Sequence, residues 1–472
     1  MNKVLKTVIS LMLTAIITFS LVSSAFAKTG CDCGRCPVVF VHGVGSPLYE
    51  KDENGERVSV FMPETSVMVK QVLSAVFTLP IATLLGGWDR CADTISALCN
   101  GLFGEIRCDE NGNSVNDIII NSSTGPSASR HLTGDNTFTF SYDWRLDPVE
   151  NAGLLDKYID SVLAATNHDK IVLYAFSEGG EVTLSYLAVY GSEKVEKYVT
   201  LCSAFQGLTL VGKLFSGEIS FNSRELANFI GTILPAAAGV PKNVATFLKL
   251  LHYTGLYAVI LAILNTAVEH CFDKFYYDSA RQVFACMPGM FCFVPYEYYD
   301  AAIKYSFGNN KLKYAGLVEK LDRYHDIQGR AQEILQGCVD NGMQICIISN
   351  YDCYPMPFVG KDVYQSDGLI DSANTSGGAT FAPIGKTFPA EYKQQINDGH
   401  DHLSPDGKVD ASTCMFPEST WFISGFCHWN SPDSFIDWLI SFKGQPTVFS
   451  STEYPQFLTG DTSDDSVHAQ TR

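Results

Sequence analysis

The sequence predicts an α/β fold with a predominantly parallel sheet flanked by helices, and three observations predict it. Short, β-prone apolar runs recur along the chain (37–41, 171–174, 344–350 and 420–425) and read as strands buried on both faces. Helix-compatible stretches separate them, as parallel crossovers require. Each run empties into a loop carrying a chemically capable residue: His42-Gly43-Val44-Gly45 after the first, Ser177 after the second, Asp367 beyond the third and His428 after the fourth.

Pro37-Val38-Val39-Phe40-Val41 is the first strand, and an H-G-x-G loop follows at once. A long insertion comes next, with a nearly all-apolar stretch from Val67 to Leu85 and a polar turn region from Asp109 to Asn116. Thr137 to Tyr142 alternates like a strand. After a helix, Ile171-Val172-Leu173-Tyr174 runs into Ala175-Phe176-Ser177-Glu178-Gly179-Gly180, and a helical stretch extends to about residue 193. Strand, sharp turn and helix with a serine at the tip form the nucleophile elbow of an α/β-hydrolase. Ala175 stands at the first glycine of the common G-x-S-x-G pattern and Gly179 at the second. In this fold the oxyanion hole takes one backbone N–H from the early loop and one from the residue after the nucleophile, here Val44 and Glu178. The Glu178 charge would oppose a developing oxyanion, so its side chain is expected to point away, towards a cationic or hydroxyl partner. Val199 to Phe205 reads as an interior strand, with Cys202 expected as a free buried thiol.

The triad of this fold runs in the order serine, acid, histidine. Gln344 to Asn350 is the strand that leads to the acid. Asp367-Gly368 is the expected acid turn, because the glycine lets the backbone aim the carboxylate; Asp371 is the alternative and reads better as a turn or surface carboxylate. Thr420 to Gly425 is expected to be the last strand and Phe426 to Asn430 its exit loop, which places the base at His428 rather than His400 or His402. Ser431 as N-cap and Pro432 at the first helical position then start the final helix. Ser177 would attack, His428 carry the proton, and Asp367 fix the imidazole tautomer.

The blocks P-V-V-F-V-H-G-V-G-S-P-L, Y-D-W-R-L-D-P (142–148), Y-A-F-S-E-G-G, M-P-G-M-F-C-F-V-P-Y-E-Y-Y-D-A-A-I (287–303) and S-D-G-L-I-D resemble the lecithin:cholesterol acyltransferase-like α/β-hydrolases. The A-x-S-x-G elbow and D-G-L acid turn are also similar to those of secreted lipases of Gram-positive bacteria. The resemblance is patchy but spans about residues 37–442 in order. It implies lipid-ester chemistry: lipase, phospholipase A or acyl transfer. Ala175, Phe176, Glu178 and Leu369 depart from the common G-H-S-M-G and D-G-T-V-P patterns, which leaves the acyl acceptor open.

Composition adds compartment and partners. Residues 1–27 read as a secretory signal: Lys3 and Lys6, an apolar run from Val8 to Val22, and a Ser24-Ala25-Phe26-Ala27 cleavage site. Cleavage after Ala27 would give a secreted chain. The formal net charge of −18 excludes long-range attraction to nucleic acid or anionic headgroups. Fifteen cysteines in an exported chain imply several disulfides, with at least one thiol left over, and the pairing is not legible. Disulfide clipping is expected of Cys31, Cys33 and Cys36, with metal binding as the alternative.

The expected organisation is the signal (1–27), a first part of the core (28–205), a helical lid or cap (206–300), a second part of the core (301–445) and a polar tail (446–472), disordered from Ser450 to Arg472. Apolar helical runs from Glu225 to Val240 and Val244 to Val268 suggest a lid over an acyl groove, making transient contact with a lipid interface. A membrane span there would separate the serine from its acid and base, so no integral span is expected in the mature chain. The segment 398–410, with Asp401, Asp406, Asp410, His400 and His402, fits neither an EF-hand nor a zincin spacing. A solvated loop is expected, with calcium or zinc as the alternative. The function expected is hydrolysis of lipid carboxylic esters through an acyl-serine, with no cofactor. Acyl transfer by the same triad and non-catalytic lipid binding are the rivals.

Overall fold

In the computed structural model, which describes residues 31, 33–52, 54–61, 87–125, 136–221, 226–227, 243, 246–247, 250–356 and 364–471, the apolar runs meet in one eight-stranded sheet. Its strands are β1 (Val38–Val41), β2 (Thr137–Phe140), β3 (Ile171–Phe176), β4 (Val195–Leu201), β5 (Gln344–Tyr351), β6 (Thr420–Ser424), β7 (Phe457–Asp461) and β8 (Ser466–Ala469). The spatial order is β8-β7-β6-β5-β4-β3-β1-β2. Every neighbouring pair is parallel except β7 with β8. The register sets Val41 beside Ala175 and Ala175 beside Thr200, so the ends of β1, β3 and β4 lie level.

Alternation along each strand divides the core in two. Val39, Val41, Leu173, Ala175, Tyr198, Ile345 and Ile347 face one side. They pack with α1 (Pro148–Thr166), α2 (Gly179–Tyr190) and, further along the chain, the helices Ala315–Gly329 and Ala331–Asp340. Val38, Val172, Val199, Leu201, Cys346, Ile348, Trp421 and Ile423 face the other side and meet Phe435, Ile436 and Leu439. Those three belong to the helix Asp433–Ser441. The buried Lys197 ammonium donates to the carbonyls of Leu439 and Phe442, a cation placed on the negative end of that helix.

Between β4 and β5 the chain leaves the sheet. It forms α3 (Thr209–Ser216), then α4 (Leu256–Phe275), which runs on into π-helical turns at Tyr276–Ala285. Among the described residues no helix is long and apolar enough to cross a membrane. The expected secretory signal, the Val67–Leu85 stretch and most of the Glu225–Val240 run lie outside the described residues.

Three expectations need correction. The tail expected to be disordered carries β7 and β8, and Phe457 and Leu458 are buried against β6. Its polar composition belongs to an edge hairpin with one solvated face. The strand before His428 is therefore not the last. The final helix also begins one residue late, with Pro432 at the cap and Asp433 first, while the Ser431 hydroxyl donates to the Asp433 carboxylate.

Candidate active site

The loops that leave the carboxyl ends of β3, β4, β5 and β6 converge, which is where parallel sheets present ligands and chemistry. Ser177 follows β3 in a left-handed backbone conformation, φ 56°. That geometry costs a non-glycine residue ~1–3 kcal/mol and must be held from outside. Ser177 N–H donates to Leu201 O (3.3 Å), and Ala204 N–H donates to Ser177 O (2.9 Å). Small neighbours permit the turn. A Cβ on Gly43 would stand 2.5 Å from Ser177 Cβ, and one on Gly179 would strike the Val41 carbonyl.

The acid turn is built by its own backbone. Cys353 N–H donates to Ser366 O (3.0 Å), Asp367 N–H closes on Ile370 O (3.1 Å), and Gly368 takes φ 97°. The fully buried Asp367 accepts the N–H groups of Leu369 (2.9 Å) and Ile370 (2.7 Å) on Oδ1, leaving Oδ2 to His428 Nδ1 at 2.7 Å. His428 N–H also donates to Asp367 O (2.7 Å), so acid and base are joined by main chain as well as side chain. His428 Nε2 lies 3.0 Å from Ser177 Oγ. With Nδ1 donating to a carboxylate, Nε2 is the acceptor that faces the serine hydroxyl.

Four residues around this chain were not legible as neighbours. The Phe176 ring stacks on His428, with centroids 5.0 Å apart. It stands where the commoner pattern has a histidine. The buried Cys202 thiol, in a left-handed turn after β4, hydrogen-bonds the Asp367 side chain. Beyond β5, the Cys353 sulfur lies 2.8 Å from that of Cys427, the residue before His428.

Val44 lies on the wall of the cavity that holds Ser177 and His428. The Glu178 side chain turns inward and is buried; its neighbour is a hydroxyl, Tyr142 Oη at 3.5 Å. Tyr142 makes its short bond elsewhere, to His42 O at 2.6 Å, which ties the Tyr142-Asp143-Trp144-Arg145 block to the early loop. Trp144 Nε1 adds a bond to Ser46 O (3.3 Å). Burial pushes the carboxyls of Glu178 and Glu181 well above the usual carboxylate range.

A cavity of ≈ 1190 Å³ opens at the serine. Its walls are almost wholly apolar. The core supplies Phe40, Phe176 and Leu201; α3 supplies Val211, Leu214 and Phe215; α4 supplies Val268, Phe272 and Phe275. The segment that leaves the sheet after β4 therefore roofs the site.

The alternatives lie elsewhere. Asp371 is neither a turn nor a surface carboxylate: it is buried, accepts Thr209 N–H at the start of α3 (2.8 Å), and burial pushes it up to about 6. His400 is half-exposed beside Glu418. His402 is buried, with Nδ1 on Gln456 Oε1 (2.7 Å) and Nε2 on Asp398 Oδ2 (2.9 Å). In the same loop Asp406 accepts from Ser404, and Asp410 accepts from Tyr392, Gln395 and Ser412.

Comparison with known proteins gives one family match and several structural likenesses. Residues 132–228 match the family model described as lecithin:cholesterol acyltransferase, a span that includes β2, α1, the elbow, β4 and α3. No curated protein sequence matches. Similar solved structures include Aspergillus fumigatus lipase B, 13% identical over 38% of this chain and 26% of that one, TM-score 0.18. The Tle4–Tli4 complex is 10% identical over 67% and 75%, TM-score 0.29. The match spans about a quarter of the lipase. An elbow after β3, an acid turn after β5 and a histidine after β6 define an α/β-hydrolase. Within that class, residues 132–228 are similar to the lecithin:cholesterol acyltransferases.

Proposed function

We propose that this protein is an exported serine hydrolase that cleaves the carboxylic esters of lipids through an acyl-serine intermediate. One observation carries the reading: a hydrogen-bonded chain from Ser177 through His428 to Asp367 opens into a large apolar cavity. In this mechanism Ser177 Oγ attacks the ester carbonyl while His428 Nε2 takes its proton and returns it to the departing alcohol. Asp367 keeps Nδ1 protonated and stabilises the imidazolium. The backbone N–H groups of Val44 and Glu178 receive the oxyanion. Burial pushes the Glu178 carboxyl up, which disfavours a negative charge beside the oxyanion. Water then repeats the sequence on the acyl-serine.

The cavity walls favour a long acyl chain, since phenylalanine, leucine and valine side chains give little to a polar one. Phe247, Tyr253 and Ile263 on the roofing segment point to solvent, an arrangement suited to transient contact with a lipid interface. Acyl transfer to an alcohol is the second reading, favoured by the family match over residues 132–228. Export rests on the character of residues 1–27.

The test is release of fatty acid from a dispersed long-chain glyceride, with and without an added sterol acceptor, by the wild-type protein and its Ser177→Ala variant. Release lost in the variant supports the hydrolase; acyl ester formed on the sterol instead supports transfer. A folded protein that binds glyceride but transforms none leaves a lipid-binding protein.

A further inference from the structure

Fifteen cysteines raise the question of which pair matters to the chemistry, and the geometry points to one. We propose that Cys353 and Cys427 form a disulfide that clamps the acid loop to the base loop and positions His428 for proton transfer. The proposal rests on the reading of Ser177, His428 and Asp367 as the catalytic chain.

Four observations support it. The two sulfurs are 2.8 Å apart although the residues are 74 positions apart in sequence. That is about 0.8 Å more than a disulfide bond, so closure asks for side-chain adjustment and no rearrangement of the loops. Cys353 is bridged through its backbone to Ser366 and Asp367, so it moves with the acid turn. Cys427 immediately precedes His428, and its carbonyl accepts from Asn350 Nδ2 (3.3 Å) at the end of β5. Both cysteines are half-buried, so a small oxidant can reach them.

The base loop needs such a clamp. Besides the His428–Asp367 side-chain bond, it is held to the acid loop and β5 by the bond from His428 N–H to Asp367 O and by the Asn350 bond at 3.3 Å. Trp429, the next residue, is half-exposed. A covalent bond one residue before His428 restricts the rotation of the imidazole about the loop and holds Nε2 on Ser177 Oγ.

The step balances with a low-molecular-weight disulfide as oxidant. The Cys427 thiolate attacks that disulfide, forming a mixed disulfide and expelling one small thiolate. The Cys353 thiolate then attacks Cys427 Sγ, forming the protein disulfide and expelling the second. The protein loses two protons and two electrons, and the small disulfide is reduced to two thiols.

The experiment uses the full chain equilibrated with oxidised glutathione or with dithiothreitol. Non-reducing peptide mapping by mass spectrometry follows, beside kinetics on a soluble short-chain ester for wild type, Cys353→Ser, and Cys353→Ser/Cys427→Ser. The expected result is a cross-linked peptide pair, lighter by two hydrogens, in the oxidised wild type. Its kcat should exceed that of the double variant by about tenfold with KM little changed, since a loosened general base loses geometry and not binding. In dithiothreitol the wild type should fall to the level of the double variant, and the double variant should respond far less. Both cysteines alkylated as free thiols in the oxidised, folded protein would overturn the proposal. So would a double variant with wild-type kcat. Turnover absent from every form would instead sink the serine-hydrolase reading and the positioning role with it, while the peptide map still decides whether the bond exists.

Discussion

His428 and His402 are both buried, and both hold a carboxylate at hydrogen-bond distance: Asp367 at 2.7 Å and Asp398 at 2.9 Å. The difference lies in the other ring nitrogen. In His402 it is taken up by Gln456 Oε1, whose amide is oriented by bonds to the carbonyls of Pro417 and Thr420. In His428 it faces Ser177 Oγ at the mouth of a cavity. A histidine–carboxylate pair is therefore no signature of catalysis by itself. What distinguishes a base is a second nitrogen with a hydroxyl before it and room for substrate beyond.

Substitutions can break this comparison in a graded way. The largest effect is expected at the serine: Ser177→Ala should lower kcat by about 10⁴-fold or more, with folding intact, as measured on a soluble ester. Asp367→Asn should cost a comparable factor, about 10³–10⁴, because an amide at that position favours the wrong imidazole tautomer. His402→Ala should change kcat by no more than about twofold but lower stability by ~2–4 kcal/mol in urea unfolding, since it strips two buried bonds. Equal losses of turnover at His402 and His428 would undo the distinction. A smaller, selective effect is expected on the cavity wall. Leu214→Trp should lower turnover of a sixteen-carbon ester about tenfold relative to a four-carbon one.

Buried carboxylates offer the same contrast. Asp367 collects two N–H donors and an imidazole, whereas among the described residues neither oxygen of Glu181 has a hydrogen-bond partner and burial pushes its carboxyl up. Above the ordinary 4.5, the folded state then holds a proton that the unfolded chain has released. Stability must fall as pH rises through the window between 4.5 and the raised folded value, and Glu178 adds to the same trend. Glu181→Gln should remove its share, raising Tm at pH 8 by roughly 2 °C or more while changing little at pH 4.5. A Tm gain equal at both pH values would contradict the account.

The sheet and the candidate site were legible to different depths. Strands β1, β3, β5 and β6 are buried on both faces, so their apolar runs stand out, and the serine, acid and histidine follow them because crossover order leaves little choice. β7 and β8 were missed: a short hairpin at the sheet edge with a polar face has the composition of a loop. The stacking of Phe176 on His428 and the bond from Cys202 to Asp367 were hidden for another reason. They join loops from different strands, and no local pattern records which side chains meet across a sheet end. The signal for Phe176 and Glu178 was present as a departure from the common elbow, but its meaning needed the third dimension.

The most direct test of the central claim is covalent labelling with long-alkyl and short-alkyl fluorophosphonates, read by peptide mapping. The account predicts modification at Ser177 alone, faster with the long alkyl chain, lost in His428→Ala and kept in His402→Ala. Labelling of another serine, or no labelling of a folded protein, would contradict it.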